Sequence, residues 1–253
     1  MYMLDDGLIY SARYATSLET SRVPAVLLVS FDGTPIGVET QDGCFQSDAL
    51  LVRSRLPRKL KAWNNRFVGI HIDPAHPCYA SVNAATGDAG VVKVSAASYL
   101  SCLEPFATKD PSEIGLADAD AMFCEVVGCL TEEIGCSDVQ DPRISRILDQ
   151  MNAVSPLDYD YGQLLKLSGL SSGRLSHLFT DEVGISLRSF KAWRKIREAI
   201  SLLSTNSDLT SVAHLSGFSD SAHFSRSFVS SFGLVPSMFR DGRCVQVLAD
   251  EVL

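Results

Sequence analysis

The chain has 253 residues, of which 46% are hydrophobic, 21% charged and 8% aromatic, a make-up that excludes disordered and fibrous classes and suits an ordinary globular protein. Its net charge of −8 is one-sided: residues 1–140 hold ten Lys/Arg against eighteen Asp/Glu, whereas 141–243 hold twelve against ten. An acidic half joined to a mildly basic one fits a nucleic-acid-reading part tethered to a separate partner part.

The opening Met1-Tyr2-Met3-Leu4-Asp5-Asp6 places two acids where an export signal carries positive charge. The longest apolar run, around Val23–Val29, contains Pro24 and is too short to span a bilayer. A cytoplasmic location without a membrane partner is expected. Seven cysteines (44, 78, 102, 124, 129, 136 and 244) form no C-x-x-C pair and read as reduced thiols. Cys124, Cys129 and Cys136 are the redox-sensor candidates, although no flanking pattern would lower their pKa.

In chain order, Val26–Phe31 reads as a buried strand ended by the turn pair Asp32-Gly33. Asp48–Arg53 follows, then the alternating Phe67–Ile72, closed by Asp73-Pro74. Short strands punctuated in this way predict a small barrel or sandwich. Arg53, Arg55, Arg58, Lys59 and Lys61 form a basic cluster in the acidic half: a solvated face, an anionic-effector site, or an interface with acidic helices. His71, His76 and Cys78 have metal-ligand chemistry but match no zinc spacing, and otherwise read as turn and core residues.

From about Ile114 to Ile134 the apolar positions Leu116, Met122, Phe123, Val126, Val127 and Leu130 predict an amphipathic helix or helical pair. It would pack on the β-structure or pair two chains. Ser137–Pro142 is a polar break. Beyond it Ile144, Ile147, Leu148 and Met151 occupy one helical face, with Pro142 in the first turn.

The C-terminal half contains an internal duplication. Gly169-Leu-Ser-Ser-Gly-Arg-Leu-Ser-His-Leu-Phe179 is followed by Gly184 and Phe190. Gly217-Phe-Ser-Asp-Ser-Ala-His-Phe-Ser-Arg-Ser-Phe228 is followed by Gly233 and Phe239 at the same spacings. Each copy reads as helix, turn, helix. Leu164, Leu165 and Leu167 are expected inside the first, and Val212, Ala213 and Leu215 inside the second. Thr210 is the expected cap of one helix, with Ser171 and Ser219 capping or leading into the next. Gly169 and Gly217 allow the left-handed turn. The second helices bury Leu175, Leu178 and Phe179, or Phe224 and Phe228. Their opposite faces carry Gly173, Arg174, Ser176, His177 and Thr180, or Ser221, Ala222, His223, Ser225 and Arg226. Small or hydrogen-bonding residues of this kind can approach base edges. Between the copies, Leu187–Leu203 reads as a long helix whose Arg188, Lys191, Arg194, Lys195 and Arg197 would sit near phosphates.

Pro142–Arg240 resembles the DNA-binding domain of AraC/XylS-type transcription regulators. The late signature is similar to Gly217–Phe228 followed by Phe232-Gly-Leu-Val-Pro-Ser-Met-Phe-Arg240. The resemblance implies two helix-turn-helix units on a connecting helix, reading successive major-groove segments. It maps base contacts onto Gly173, Ser176 and His177 in the first unit, and onto Ser221, Ala222, His223 and Arg226 in the second. Leu165 stands where alanine is usual and Lys195 where arginine is common. Gly173 brings no side chain and weakens its helix by up to ~1 kcal/mol against alanine, so the first unit is expected to discriminate less. Residues 1–110 more loosely resemble the cupin-like arm used in that family for effector binding or dimerisation, with Arg58 after Pro57 where Pro-His is frequent.

The predicted fold is therefore α+β and multidomain. A cupin-like β-barrel or sandwich (1–110) and a helical connector (111–140) precede an all-α DNA-binding domain (141–244). The predicted function is a non-enzymatic, cofactor-free bacterial regulator, with an activator the commoner outcome. Expected partners are double-stranded DNA, RNA polymerase, a small-molecule or protein effector at the N-terminal domain, and a second copy of the chain. The alternative is a metal-dependent cupin enzyme using His71, His76 or Cys78. No G-x-S-x-G, P-loop or dinucleotide fingerprint is present.

Overall fold

The structure of the protein, a computed structural model, describes residues 1–12, 15–16, 19–62, 66–110, 113–136, 141–203 and 208–240. Its strands are β1 Tyr2–Leu4, β2 Gly7–Ala12, β3 Ala15–Thr16, β4 Ala25–Ser30, β5 Ile36–Thr40, β6 Gly43–Ser47, β7 Ala49–Val52, β8 Lys59–Ala62, β9 Phe67–Ile72 and β10 Val91–Lys93. They pair antiparallel into two sheets, ordered β1-β2-β9-β4-β7-β10 and β3-β8-β5-β6. Of the two expected forms, this is the sandwich; the sheets do not close into a barrel.

Side-chain alternation explains why the larger sheet reads as near-continuous apolar runs. Val26 and Leu28 of β4 point between the sheets, where they meet Ile36, Val38, Leu60 and Phe67. Their neighbours Ala25, Leu27 and Val29 join Val68, Ile70 and Ile72 on the face covered by helices. The shorter β8 is covered on one side alone, so Leu60 and Ala62 are buried while Lys59 and Lys61 are exposed.

The helices over the larger sheet are α1 Tyr79–Ala85, α2 Ala97–Leu100, α3 Glu104–Thr108 and α4 Leu116–Ile134. The expected apolar stripe of α4 is buried at Met122, Phe123, Val126, Val127 and Leu130, and the helix packs on β1, β2, α1 and α2. Of the two roles expected for it, packing on the β-structure is the one this face performs.

The C-terminal helices are α5 Pro142–Asn152, α6 Tyr161–Ser168, α7 Ser172–Val183, α8 Leu187–Leu203, α9 Leu209–Leu215, α10 Ser221–Phe232 and α11 Ser237–Arg240. All four apolar positions expected on α5 are buried. They belong, with Leu164, Leu175, Phe179 and Phe190, to the same continuous core as the helix-covered sheet face. Packing therefore does not break at residue 141. The expected boundary segment 137–140 and the expected domain end at 244 lie outside the described residues. A second core gathers Trp193, Ile196, Ile200, Val212, Phe224, Phe228, Phe232 and Phe239, and from the β-structure it takes Met3 and Leu8. No helix among the described residues is long and apolar enough to cross a membrane.

Candidate nucleic-acid interface

Each half of the duplication folds as helix, turn, helix, and the local chemistry shows why. Gly169 (φ 66°) and Gly217 (φ 84°) adopt the left-handed conformation at the two turns, which glycine enters without steric cost. Asp160 caps α6 through the backbone N–H of Gly162 at 2.7 Å. One expected cap is corrected: Asp208, not Thr210, caps α9 by accepting from the N–H groups of Thr210 and Ser211 at 2.9 and 3.1 Å. Ser171 stands at the N-cap position of α7 without a side-chain cap bond, and Ser219 leads into α10, which Asp220 caps by accepting from His223 N–H at 2.6 Å. A carboxylate adds charge attraction to the helix N-terminus, so it wins over a neighbouring hydroxyl. Two expected core positions are also corrected, since Leu167 is 36% and Leu215 51% exposed.

The expected reading faces are open. Gly173, Arg174, Ser176 and His177 are exposed on α7; on α10, Ala222, His223 and Arg226 are exposed, while Ser221 and Ser225 are half-buried. Between the units lies a groove of about 640 Å³. Ser176 of α7, His223, Ser227 and Ser231 of α10, and Arg188, Lys191 and Lys195 of α8 all line it. Residues 55 positions apart in the chain are thus brought to one concave, cation-bearing surface.

The expected phosphate cations are not equivalent. Arg188 is exposed. Lys191 lies over the rings of Tyr159 and Tyr161, 5.4 and 5.7 Å from their centroids, and burial lowers its pKa. Arg194 donates to Tyr159 Oη and to Asn152 O, both at 3.2 Å. Lys195 donates to Gly217 O at 2.5 Å, fastening the second turn to α8. Arg197 is turned inward, away from any solvent-facing role. It pairs with Asp73 at 2.6 Å and donates to the carbonyls of Leu4 and Asp5. Trp193 Nε1 donates to the same Asp73 carboxylate at 2.6 Å. This clamp between β-structure and α8 was missed in the sequence, where Asp73 reads only as a turn residue and Arg197 as one more basic helix position.

The metal candidates separate. His71 accepts from Arg22 Nη1 at 3.0 Å, His76 Nδ1 accepts from the backbone N–H of Cys78 at 3.2 Å, and Cys78 is buried. The charges acting on His71 are the guanidiniums of Arg22 and Arg58, which would repel a cation. Among the described residues no group of three or more His, Cys, Asp or Glu is placed to hold a metal. Of the thiols, Cys102 lies 4.0 Å from Cys129, and burial raises the pKa of both Cys102 and Cys124, the opposite of what a reactive thiolate needs.

Burial and the two guanidiniums hold His71 well below the ordinary histidine value of 6.5. The unfolded chain therefore binds this proton first. The stability associated with a neutral His71 is complete above pH 6.5 and is lost as pH falls below it. His71→Asn is expected to flatten that acid limb, as melting temperatures measured across a pH series would show; an unchanged limb would assign it to other groups.

Residues 164–242 match a helix-turn-helix domain family. The C-terminal segment is an AraC-type helix-turn-helix domain. Over 106 residues the chain is 36% identical to the arabinose operon regulatory protein of Salmonella typhimurium, covering 40% of this chain and 38% of that relative. Over 86 residues it is 38% identical to the arabinose operon regulatory protein of Escherichia coli, covering 34% of this chain and 30% of that relative. The match thus spans well under half the length of either relative. In overall fold the chain is similar to ToxT from Vibrio cholerae, with a TM-score of 0.58 at 12% identity over 93% of this chain and 97% of that one. A ToxT structure with bound unsaturated fatty acid matches with a TM-score of 0.54 at 13% identity, covering 93% of this chain and 95% of that one. The AraC-type domain accounts for the duplication, the glycine turns and the shared α8; the likeness to ToxT extends to the two-sheet N-terminal part.

Proposed function

We propose that this chain is a DNA-binding transcription regulator whose α7 and α10 enter successive major-groove segments of one duplex. The observation that carries the reading is the single groove onto which α7, α8 and α10 bring Ser176, Arg188, Lys191, Lys195 and His223. In this reading Arg174, Ser176, His177, Ser221, Ala222, His223, Ser225 and Arg226 present side chains to base edges, and Gly173 lets the backbone of α7 approach closely. Arg188 and Lys191 serve the phosphates, whereas Arg194, Lys195 and Arg197 act first as internal fasteners. Residues 1–110 with α4 form the controlling part, through an effector, a partner protein or a second copy. The bound fatty acid of the ToxT structure favours a small-molecule effector, and activation through RNA polymerase is the expected outcome.

Selection of binding sites from random duplexes by the purified protein tests the reading. A motif with two contact blocks about one helical turn, ~10 bp, apart is expected. Arg226→Ala is expected to relax preference at particular base pairs, costing ~1–3 kcal/mol there. Arg188→Ala should instead weaken binding to all sequences and reduce the salt slope by about one. No enrichment by the wild-type chain would reduce the duplication to a structural bundle.

A further inference from the structure

The space between the two sheets contains polar groups that the DNA-reading role does not use. Arg58 precedes β8 and shares the inward side of Leu60 and Ala62; it is 4% exposed, and His71 is 1% exposed. Arg22 donates to His71 Nε2 at 3.0 Å, and its guanidinium carbon lies 5.9 Å from the ring centroid of Tyr10. The Tyr10 and His71 rings are 5.5 Å apart. In this one cluster four buried atoms have no hydrogen-bond partner among the described residues: Tyr10 Oη, Arg22 Nε, Arg58 Nη2 and His71 Nδ1. Native interiors rarely leave such groups unmatched, because each one forfeits its hydration.

The chemistry of these four atoms is uniform. Arginine nitrogens only donate. Because Arg22 donates to His71 Nε2, that nitrogen carries no proton, and the neutral ring must carry its proton on Nδ1. The tyrosine hydroxyl can also donate. Burial and the neighbouring Arg22 draw the Arg58 guanidinium down to about 9, which leaves it charged at pH 7. Among the described residues the charges acting on Arg58 and His71 include no carboxylate, and neither Arg22 nor Arg58 forms an ion pair. Four donors and two positive charges call for an acceptor-only, negatively charged group.

We propose that Tyr10, Arg22, Arg58 and His71 form a binding site for an oxyanion, the carboxylate or phosphate group of a small metabolite, inside the N-terminal sandwich. The site is wired to the DNA-reading half. Arg22 Nη2 also donates to Phe232 O at 3.5 Å, and its guanidinium carbon lies 5.9 Å from the centroid of the Phe232 ring, at the end of α10. Nearby, the backbone N–H of Ser21 donates to Ser230 O at 3.1 Å. An anion drawing on Arg22 shifts the balance of its bonds between His71 and Phe232 and so changes how α10 is held. This rests on the regulator reading above, of which it names the effector chemistry.

The test uses the full-length protein, with melting temperature and titration calorimetry read against sodium butyrate, hexanoate, octanoate and inorganic phosphate, and with sodium chloride as control. A saturable rise in melting temperature is expected from a carboxylate or from phosphate, and the stronger arm names the source. Arg58→Met, which keeps the shape and removes the buried charge, is expected to raise the ligand-free melting temperature. The same variant should weaken anion binding at least ~10-fold. Tyr10→Phe removes one oxygen only and should also weaken binding; it decides the matter if Arg58→Met does not fold. No binding by the wild-type protein at millimolar concentration, or equal binding by the variants, overturns the site. DNA binding is measured on the same samples: DNA binding without anion binding sinks this inference alone, whereas anion binding without DNA binding sinks the regulator reading.

Discussion

Replacing Asp73 by alanine should destabilise the folded chain by about 3–5 kcal/mol, the cost of breaking a buried ion pair by removing one partner. Asp73 is 1% exposed, and its two oxygens take three donors. Oδ1 accepts from the backbone N–H of Ala75 at 2.9 Å; Oδ2 accepts from Trp193 Nε1 and Arg197 Nη1, each at 2.6 Å. The side chain of Arg197 is 11% exposed, so water cannot readily replace the lost carboxylate. The alanine variant therefore leaves an indole N–H unmatched and a guanidinium held by the carbonyls of Leu4 and Asp5 alone. Urea unfolding would measure the loss from the shift in midpoint. Asp73→Asn, which keeps an acceptor but not the charge, should fall between the two. A loss under ~1 kcal/mol would place this contact in the class of solvent-screened surface pairs, and the β-structure and α8 would then be held by apolar packing.

Phe228→Ala should cost about 3–5 kcal/mol, the range for deleting a buried aromatic side chain. Phe228 is 0% exposed and stands in the middle of the second unit's aromatic cluster. Its centroid is 4.9 Å from those of Phe232 and Phe239 and 5.5 Å from that of Phe224. The tilted and edge-on geometries are favourable for ring pairs, and the resulting cavity would be walled by rigid rings that collapse poorly. From the β-structure the second core buries Met3 and Leu8, with the partly buried Met1, Tyr10 and Val23 packed against it. Calorimetry is thus expected to show the second unit melting ahead of the rest, while the core around Phe179 and Phe190 persists. A single unshifted transition would mean that the cluster contributes little beyond filling space.

The duplication was legible because its signals are local. A glycine at a helix end, apolar residues three and four apart, and a carboxylate at a helix start act within a few residues of one another. Even the misplaced cap, Asp208 for Thr210, is an error of two positions between residues that both offer a side-chain oxygen. Strands β4 and β7 were legible for a related reason: burial on both faces leaves an uninterrupted apolar run, whereas β9, read as alternating because His71 interrupts it, is buried along its whole length. The fate of the basic residues was not legible. Arg188 and Arg197 look alike on a helical pattern, yet one faces solvent and the other meets an acid more than a hundred residues away in sequence. Arg58 in a run of surface cations gave no sign of burial except the alternation of β8, in which Arg58 shares the inward parity of Leu60 and Ala62. Such long-range pairings are properties of topology, and one sequence carries no local mark of them.

Helix α8 has a consequence for how such a protein can diverge. Its 17 residues form a rod of roughly 25 Å. Leu187 and Phe190 are set in one core, and Trp193, Ile196, Ile200 and Leu203 in the other. In the proposed reading, α7 and α10 are therefore mounted on one ruler. Exchanges at their exposed positions would then rewrite the letters recognised without disturbing either core. The distance between the two words has no such freedom: adding a residue to α8 turns one unit by about 100° relative to the other. New specificities are thus reached by spelling, while spacing is inherited.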